Sequence, residues 1–161
     1  MPGVKLDIRN FYHFLKLHTG GQWRDSEIVI KMNPTKVELI SIVKILRSYE
    51  YDFVYVLFSG HGAYERSTLL EINSNEDYIY ESDLKHIAPR QISIFDCCRQ
   101  VVKLPDSIAT ESFSSSGITA NFTRAKYENR IMQAVEQQVS LYACSVGENA
   151  LDSESGAIIY S

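Results

Sequence analysis

The segment 52–59, DFVYVLFS, is nearly all apolar and built from β-branched and aromatic residues. A strand of that composition is covered on both faces, the condition of a parallel sheet with helices packed against it. The rest of the chain alternates in the same sense. Asp7 to His18 carries Ile8, Phe11, Phe14, Leu15 and Leu17 mostly at helical spacing, and Thr19-Gly20-Gly21 ends the pattern. Glu27 to Met32 (EIVIKM) reads as a short strand. Thr35 and Glu38 stand at capping-box spacing before VELISIVKILRSY, which predicts a helix. Short strands are expected at 67–72 and 78–80, a short helix from Ser82 to Ile87, and a strand at Gln91 to Phe95 (QISIF). A helix from Arg124 to Gln138 and a strand at Val139 to Cys144 (VSLYAC) complete the alternation. The expected fold is a three-layer α/β/α sandwich around a mostly parallel sheet.

At 161 residues, 45% of them apolar, the chain suits one domain with one core, and no repeat of solenoid period divides it. Sixteen Lys and Arg against twenty Asp and Glu leave a net charge of −4, which argues against nucleic acid or an anionic membrane as the main partner. No apolar run is long enough to span a bilayer, and MPGVKLDIRN lacks the order of a signal peptide, so the cytoplasm is the default compartment. Three cysteines, Cys97, Cys98 and Cys144, read as reduced thiols rather than a disulfide framework. The stretch from Leu104 to Thr123, LPDSIATESFSSSGITANFT, is rich in Ser and Thr without sustained periodicity and reads as a long exposed connection.

In an open parallel sheet the chemistry lies beyond the carboxyl ends of the strands. There DFVYVLF is followed by Ser59-Gly60-His61-Gly62, QISIF by Asp96-Cys97-Cys98-Arg99, and VSLYAC by Ser145-Val146-Gly147-Glu148, with Asp152 further on. A cysteine nucleophile needs an imidazole to raise its thiolate fraction and to carry a proton to the leaving amine, and His61 can serve Cys98 in that way. The N–H groups of Gly62 and Cys98 are the natural donors to an oxyanion, glycine allowing close approach.

SGHG after one buried strand and DCCR after the next resemble the caspase-like cysteine peptidases. Asp96, two residues before Cys98, is closer to metacaspases and paracaspases than to animal caspases, whose signature has Gln there. The segment YACSVGENALDSESGAIIY also resembles theirs. Carried over residue by residue, the resemblance implies a His61–Cys98 dyad, an oxyanion glycine at Gly62, and acidic specificity residues at Asp96 and Asp152. Carboxylates at the mouth of a peptide cleft pair with a guanidinium or ammonium and repel an Asp, so cleavage after Arg or Lys is expected. No cofactor is implied. Metacaspases often need calcium and paracaspases do not, and no local cluster of acidic residues decides between them. The expected partners are a protein or peptide substrate and either a second copy or a regulatory domain outside this chain. Relatives have a strand before the helix that begins here near Lys5 and continue past the helix entered at Ser155, so both ends are expected to be incomplete.

Plainer readings stand beside these. His61 alone could be a hydrogen-bonded turn residue. Cys97 and Cys144 read as inert small hydrophobes. A vicinal Cys97–Cys98 disulfide and a zinc site are alternatives, the second weakened by the lack of a CxxC pair. Asp96 could cap a turn, and Asp152 could cap the helix expected near 153–155. His13 reads as surface or core filler and His86 as a cation near a helix end. The Ser-rich connection is either a plain loop or a linker that the enzyme cleaves in itself, with Lys103, Arg124 and Lys126 flanking it. At the level of the whole chain the alternatives are a silent recruitment module that keeps the fold, and a caspase-like peptidase of non-basic specificity.

Overall fold

Three strands, β1 (Phe53–Ser59), β5 (Arg90–Asp96) and β6 (Gln137–Tyr142), run parallel in the order β1-β5-β6. The computed structural model describes residues 3–100 and 123–148, together with the backbone of 152–153 and 156–157. Three helices accompany the sheet: α1 (Gly3–Lys16), α2 (Lys36–Ser48) and α3 (Thr123–Gln133). A smaller antiparallel sheet of β2 (Gly62–Tyr64), β3 (Thr68–Glu71) and β4 (Tyr78–Tyr80) lies between β1 and β5 in sequence. The expected α/β fold is therefore present.

Alternation along β1 and β5 assigns the two faces. Val54, Val56 and Phe58 pack on a core of Val43 from α2, Leu70 and Ile79 from the small sheet, and Phe95 and Cys97. On the opposite face Tyr55 meets Phe11 of α1 edge-on, Trp23 edge-on, and the hydroxyl of Tyr127 in α3, 2.7 Å away. Helices thus cover both faces, as an all-apolar strand requires.

Thr35 caps α2 as its sequence predicts, its hydroxyl accepting from Glu38 N–H at 3.2 Å. Glu38 does not complete a capping box; its carboxylate pairs with Lys31 instead.

Four expectations need correction. Residues 27–32 are not a strand: a short 3₁₀ turn (Asp25–Glu27) leads into extended backbone at Ile28, and among the described residues no strand pairs with the outer edge of β1. Lacking a ladder, Val29, Ile30 and Met32 stay exposed, the first two lining an apolar cleft of about 330 Å³ between this segment, α1 and β1. The helix expected at 82–87 is a 3₁₀ turn, Glu81–Leu84. Gln91 ends it, because its side chain accepts from Ile87 N–H at 2.9 Å and donates to Leu84 C=O at 2.6 Å, taking groups a longer helix would use. Helix α3 stops at Gln133 because β6 begins at Gln137, where Gln138 donates to Ala88 C=O and accepts from His86 N–H. Finally, residues 156–157 belong to a strand rather than a helix: β8 (Gly156–Ala157) pairs antiparallel with β7 (Asp152–Ser153). Glycine at that point disfavours a helix by about 1 kcal/mol relative to alanine.

Among the described residues no helix is long and apolar enough to cross a membrane.

Gln91 is 2% exposed and also donates to Ser93 Oγ, so its amide is a buried polar hub. Gln91→Leu adds apolar surface but orphans Ile87 N–H and Leu84 C=O. It is expected to lower stability by about 2–4 kcal/mol, measured as a fall in denaturation midpoint at unchanged slope; a midpoint at or above that of the parent would contradict this account.

Candidate active site

The three segments beyond the strands meet because the β1–β5 ladder stays in register to its last pair, Ser59 opposite Asp96. The pairing then continues through irregular backbone. Gly60 N–H donates to Asp96 C=O at 3.1 Å, and Tyr64 N–H donates to Gln100 C=O at 3.1 Å. His61 and Gly62 are held between these two bonds, and Cys97 to Arg99 lie alongside them.

Gly62 is where the two loops press together most closely. A Cβ there would come within 2.7 Å of the Cys98 carbonyl oxygen and within 2.9 Å of the Cys97 Cβ and Sγ, distances that real side chains do not tolerate. Only glycine lets the His-Gly loop and the Cys-Cys loop touch. The direction of its N–H follows from the small sheet. Glu71 N–H donates to His61 C=O at 3.0 Å, which makes His61 and Glu71 a hydrogen-bonded pair and leaves Gly62 opposite Leu70 in a non-bonded one. Its N–H therefore points away from β3, toward the same side on which Tyr64 N–H finds Gln100. His61 itself is exposed, and Cys98 is half-buried just past the end of β5.

The third segment is tied to the second. Arg99 N–H donates to Glu148 C=O at 3.1 Å, and Gly147 N–H donates to Arg99 C=O at 2.8 Å. Gly147 has φ of +94°, a backbone conformation open to glycine and strained for other residues. The Arg99 side chain lies over the ring of Tyr142 at 3.8 Å, near that of Tyr64 at 5.4 Å, and donates to Thr68 Oγ1. Tyr142 in turn donates to Glu81 at 2.7 Å. Burial works to raise the Glu81 carboxyl, but hydrogen bonds from Tyr142, Lys85 and Thr68 outweigh it and hold the group below its ordinary value. This network fixes the cysteine loop from the core side.

Asp96 faces the other way. Phe95 stacks on Tyr142 in the core, so the next residue of β5 points to the α1 face, as does Ser59 beside it. There the Ser59 hydroxyl donates to the Asp7 carboxylate at 3.0 Å. The structure thus gathers Asp7, Ser59 and Asp96 at one corner of the strand ends. Asp7 was missed by sequence reasoning, since it lies on a helix in no motif and far from the others along the chain; Ser59 was visible only as a neighbour of His61.

The remaining candidates are placed as follows. Cys97 is buried at 1% exposure, and burial first, then the neighbouring Cys144, pushes its thiol up to about 12, an inert group as expected. Cys144 is half-buried, its thiol donating to Cys97 C=O at 3.2 Å. Asp152 opens β7 opposite Ala157, so it caps no helix. Arg124 and Lys126 lie in α3, with the Arg124 guanidinium paired to Glu27 and Glu128 and set over Trp23; neither offers an extended cleavage site. Lys103 and nearly all of the 104–123 connection lie outside the described residues. His13 is exposed against Tyr12, and His86, with φ of +56°, directly follows the Lys85 cap of the 3₁₀ turn Glu81–Leu84, near a helix end as expected. Among the described residues no group of three or more His, Cys, Asp and Glu side chains could hold a metal ion. Compared with known proteins, the sequence matches no family model and no curated protein.

Proposed function

We propose that the chain is a cysteine endopeptidase of the caspase-like class that hydrolyses peptide bonds after Arg or Lys. The observation that carries this reading is Gly62, pressed against Cys97 and Cys98 with its N–H directed to their side of β2. A carbonyl attacked by Cys98 Sγ would develop its negative charge between Gly62 N–H and Cys98 N–H. In the proposed reaction His61 takes the thiol proton, the sulfur bonds to the carbonyl carbon, and the tetrahedral intermediate collapses as His61 protonates the departing amine. Water, deprotonated by His61, then hydrolyses the thioester.

The preference for a basic residue rests on the acidic corner. Asp96 and Asp7 share the α1 face at the strand ends, where a bound guanidinium could take two carboxylates and where an Asp side chain would be repelled.

The test is a panel of fluorogenic peptides that differ only at the residue before the scissile bond. Arg and Lys substrates are expected to be cleaved by the parent and not by Cys98→Ala; cleavage of the Asp substrate, or equal rates in both proteins, would overturn the specificity or the nucleophile. Asp96→Asn should lower kcat/KM on Arg substrates by about 100-fold, and Gly62→Ala should lower kcat by at least about 100-fold, with circular dichroism confirming that each variant is folded.

Thiol chemistry gives an independent reading of the same assignment. At pH 8 a thiol raised to about 12 is ionised in roughly one molecule in ten thousand. Limiting iodoacetamide is therefore expected to label Cys98 and spare Cys97, as peptide mapping would reveal; preferential labelling of Cys97 would contradict it. Self-processing is the same activity turned on the connection at 104–123. Incubated protein is expected to nick near Lys103, whereas Cys98→Ala stays a single band; cleavage after Arg124 or Lys126 would require α3 to open.

A further inference from the structure

The nucleophile assigned above does not stand among inert neighbours only. Cys144, two residues past the end of β6, donates its thiol to the carbonyl of Cys97 at 3.2 Å and to that of Glu148 at 3.4 Å. That first carbonyl belongs to the peptide bond that enters Cys98. Planar peptide geometry then sets Cys144 Sγ no further than about 6 Å from the Cys98 Cα. Ala143 N–H donates to Phe95 C=O at 3.1 Å, which carries the β5–β6 pairing past Tyr142 and keeps Cys144 beside the Cys97–Cys98 segment, where the Cys98 charge acts on the Cys144 thiol; a disulfide then requires the two Cα atoms to settle about 4.4–6.8 Å apart. All three cysteines are thiols in this structure.

We infer that Cys98 and Cys144 form a reversible oxidative modification site, in which Cys144 captures the oxidised nucleophile as a disulfide. The inference deepens the peptidase reading by giving its nucleophile a protected oxidised state. The oxidant is a hydroperoxide. The Cys98 thiolate attacks the peroxide oxygen, the O–O bond breaks, and water or an alcohol leaves with one proton, giving a sulfenic acid. Cys144 sulfur then attacks the sulfenyl sulfur; the S–S bond forms, the S–O bond breaks, and hydroxide takes the Cys144 proton and departs as water. Two thiols are oxidised and one peroxide is reduced. A dithiol reverses the change.

The local structure selects this pair over the others. Cys97 is 1% exposed, and its sulfur lies against Gly62, where no swing is available without parting the His-Gly and Cys-Cys loops. Burial also raises the Cys144 thiol above its ordinary value, which suits it to the second, resolving step. Adjacent cysteines would moreover have to close a strained ring on a loop already pinned by Gly60, Tyr64 and Gly147.

The protein is treated with one equivalent of hydrogen peroxide, blocked with N-ethylmaleimide, digested without reductant and mapped by mass spectrometry. The expected product is a Cys98–Cys144 peptide pair, lighter by two hydrogens than the two thiols, with peptidase activity lost and then restored by dithiothreitol. With two equivalents of peroxide, one for the sulfenic and one for the sulfinic step, Cys144→Ser should carry Cys98 on to sulfinic acid that dithiothreitol does not reverse, whereas the parent at the same dose stays recoverable. A Cys97–Cys98 link, or Cys98 sulfinic acid in the parent protein at that dose, would overturn the inference. The map requires no turnover. A protein that forms the Cys98–Cys144 bond yet cleaves no peptide would sink the peptidase reading and keep the modification site, whereas an active protein without the bond would do the reverse.

Discussion

The pairing of β1 with β5 is the constraint on which the rest of the molecule depends. Seven register pairs, Phe53–Arg90 to Ser59–Asp96, align two buried strands, and the backbone bonds from Gly60 to Asp96 and from Tyr64 to Gln100 prolong that alignment beyond the ladder. Strand ends are ordinarily where a sheet frays, because the last carbonyls and N–H groups have no regular partner. Here they are satisfied by the neighbouring loop. The position of His61 relative to Cys98 is therefore inherited from sheet register. A register shift of one residue would send the Phe58 and Phe95 side chains out of the core and carry Gly62 away from Cys97.

Much of this arrangement was legible in the residues because it is local. DFVYVLFS and QISIF have compositions that only a doubly covered strand satisfies, and Tyr78–Tyr80 and the Thr35 cap fell where turn and cap chemistry placed them. His61, Gly62, Asp96 and Cys98 could be singled out for the same reason: each follows directly on a recognisable strand. What was not legible is tertiary. EIVIKM has the composition of a strand but no partner on the described edge of β1, and strand propensity expresses packing on a neighbour rather than a property of the segment alone. Gln91 shortened a helix from seven residues away by capturing its polar groups. Asp7 joined the site only because α1 packs with its N-terminal half at the carboxyl end of β1, which no spacing along the chain encodes.

Charge is distributed across the sheet so that the two sides of the site do not cancel. Arg99 directly follows Cys98, and a free guanidinium there would neutralise the carboxylates at the strand ends and weaken any preference for a basic ligand. It is instead taken up on the core face, stacked over Tyr142 and bonded to Thr68, with the Glu81 carboxylate one hydrogen bond further on. Asp7 and Asp96 lie on the opposite face, across the peptide planes of β1 and β5. In partly buried surroundings charges separated by a layer of backbone and apolar side chains interact less than pairs in contact, while each contact pair is strengthened by the low local dielectric. The fold thus holds its own cation in an aromatic and hydroxyl cage on the core face, and sheet alternation keeps that cation on the opposite side of β1 and β5 from Asp7 and Asp96.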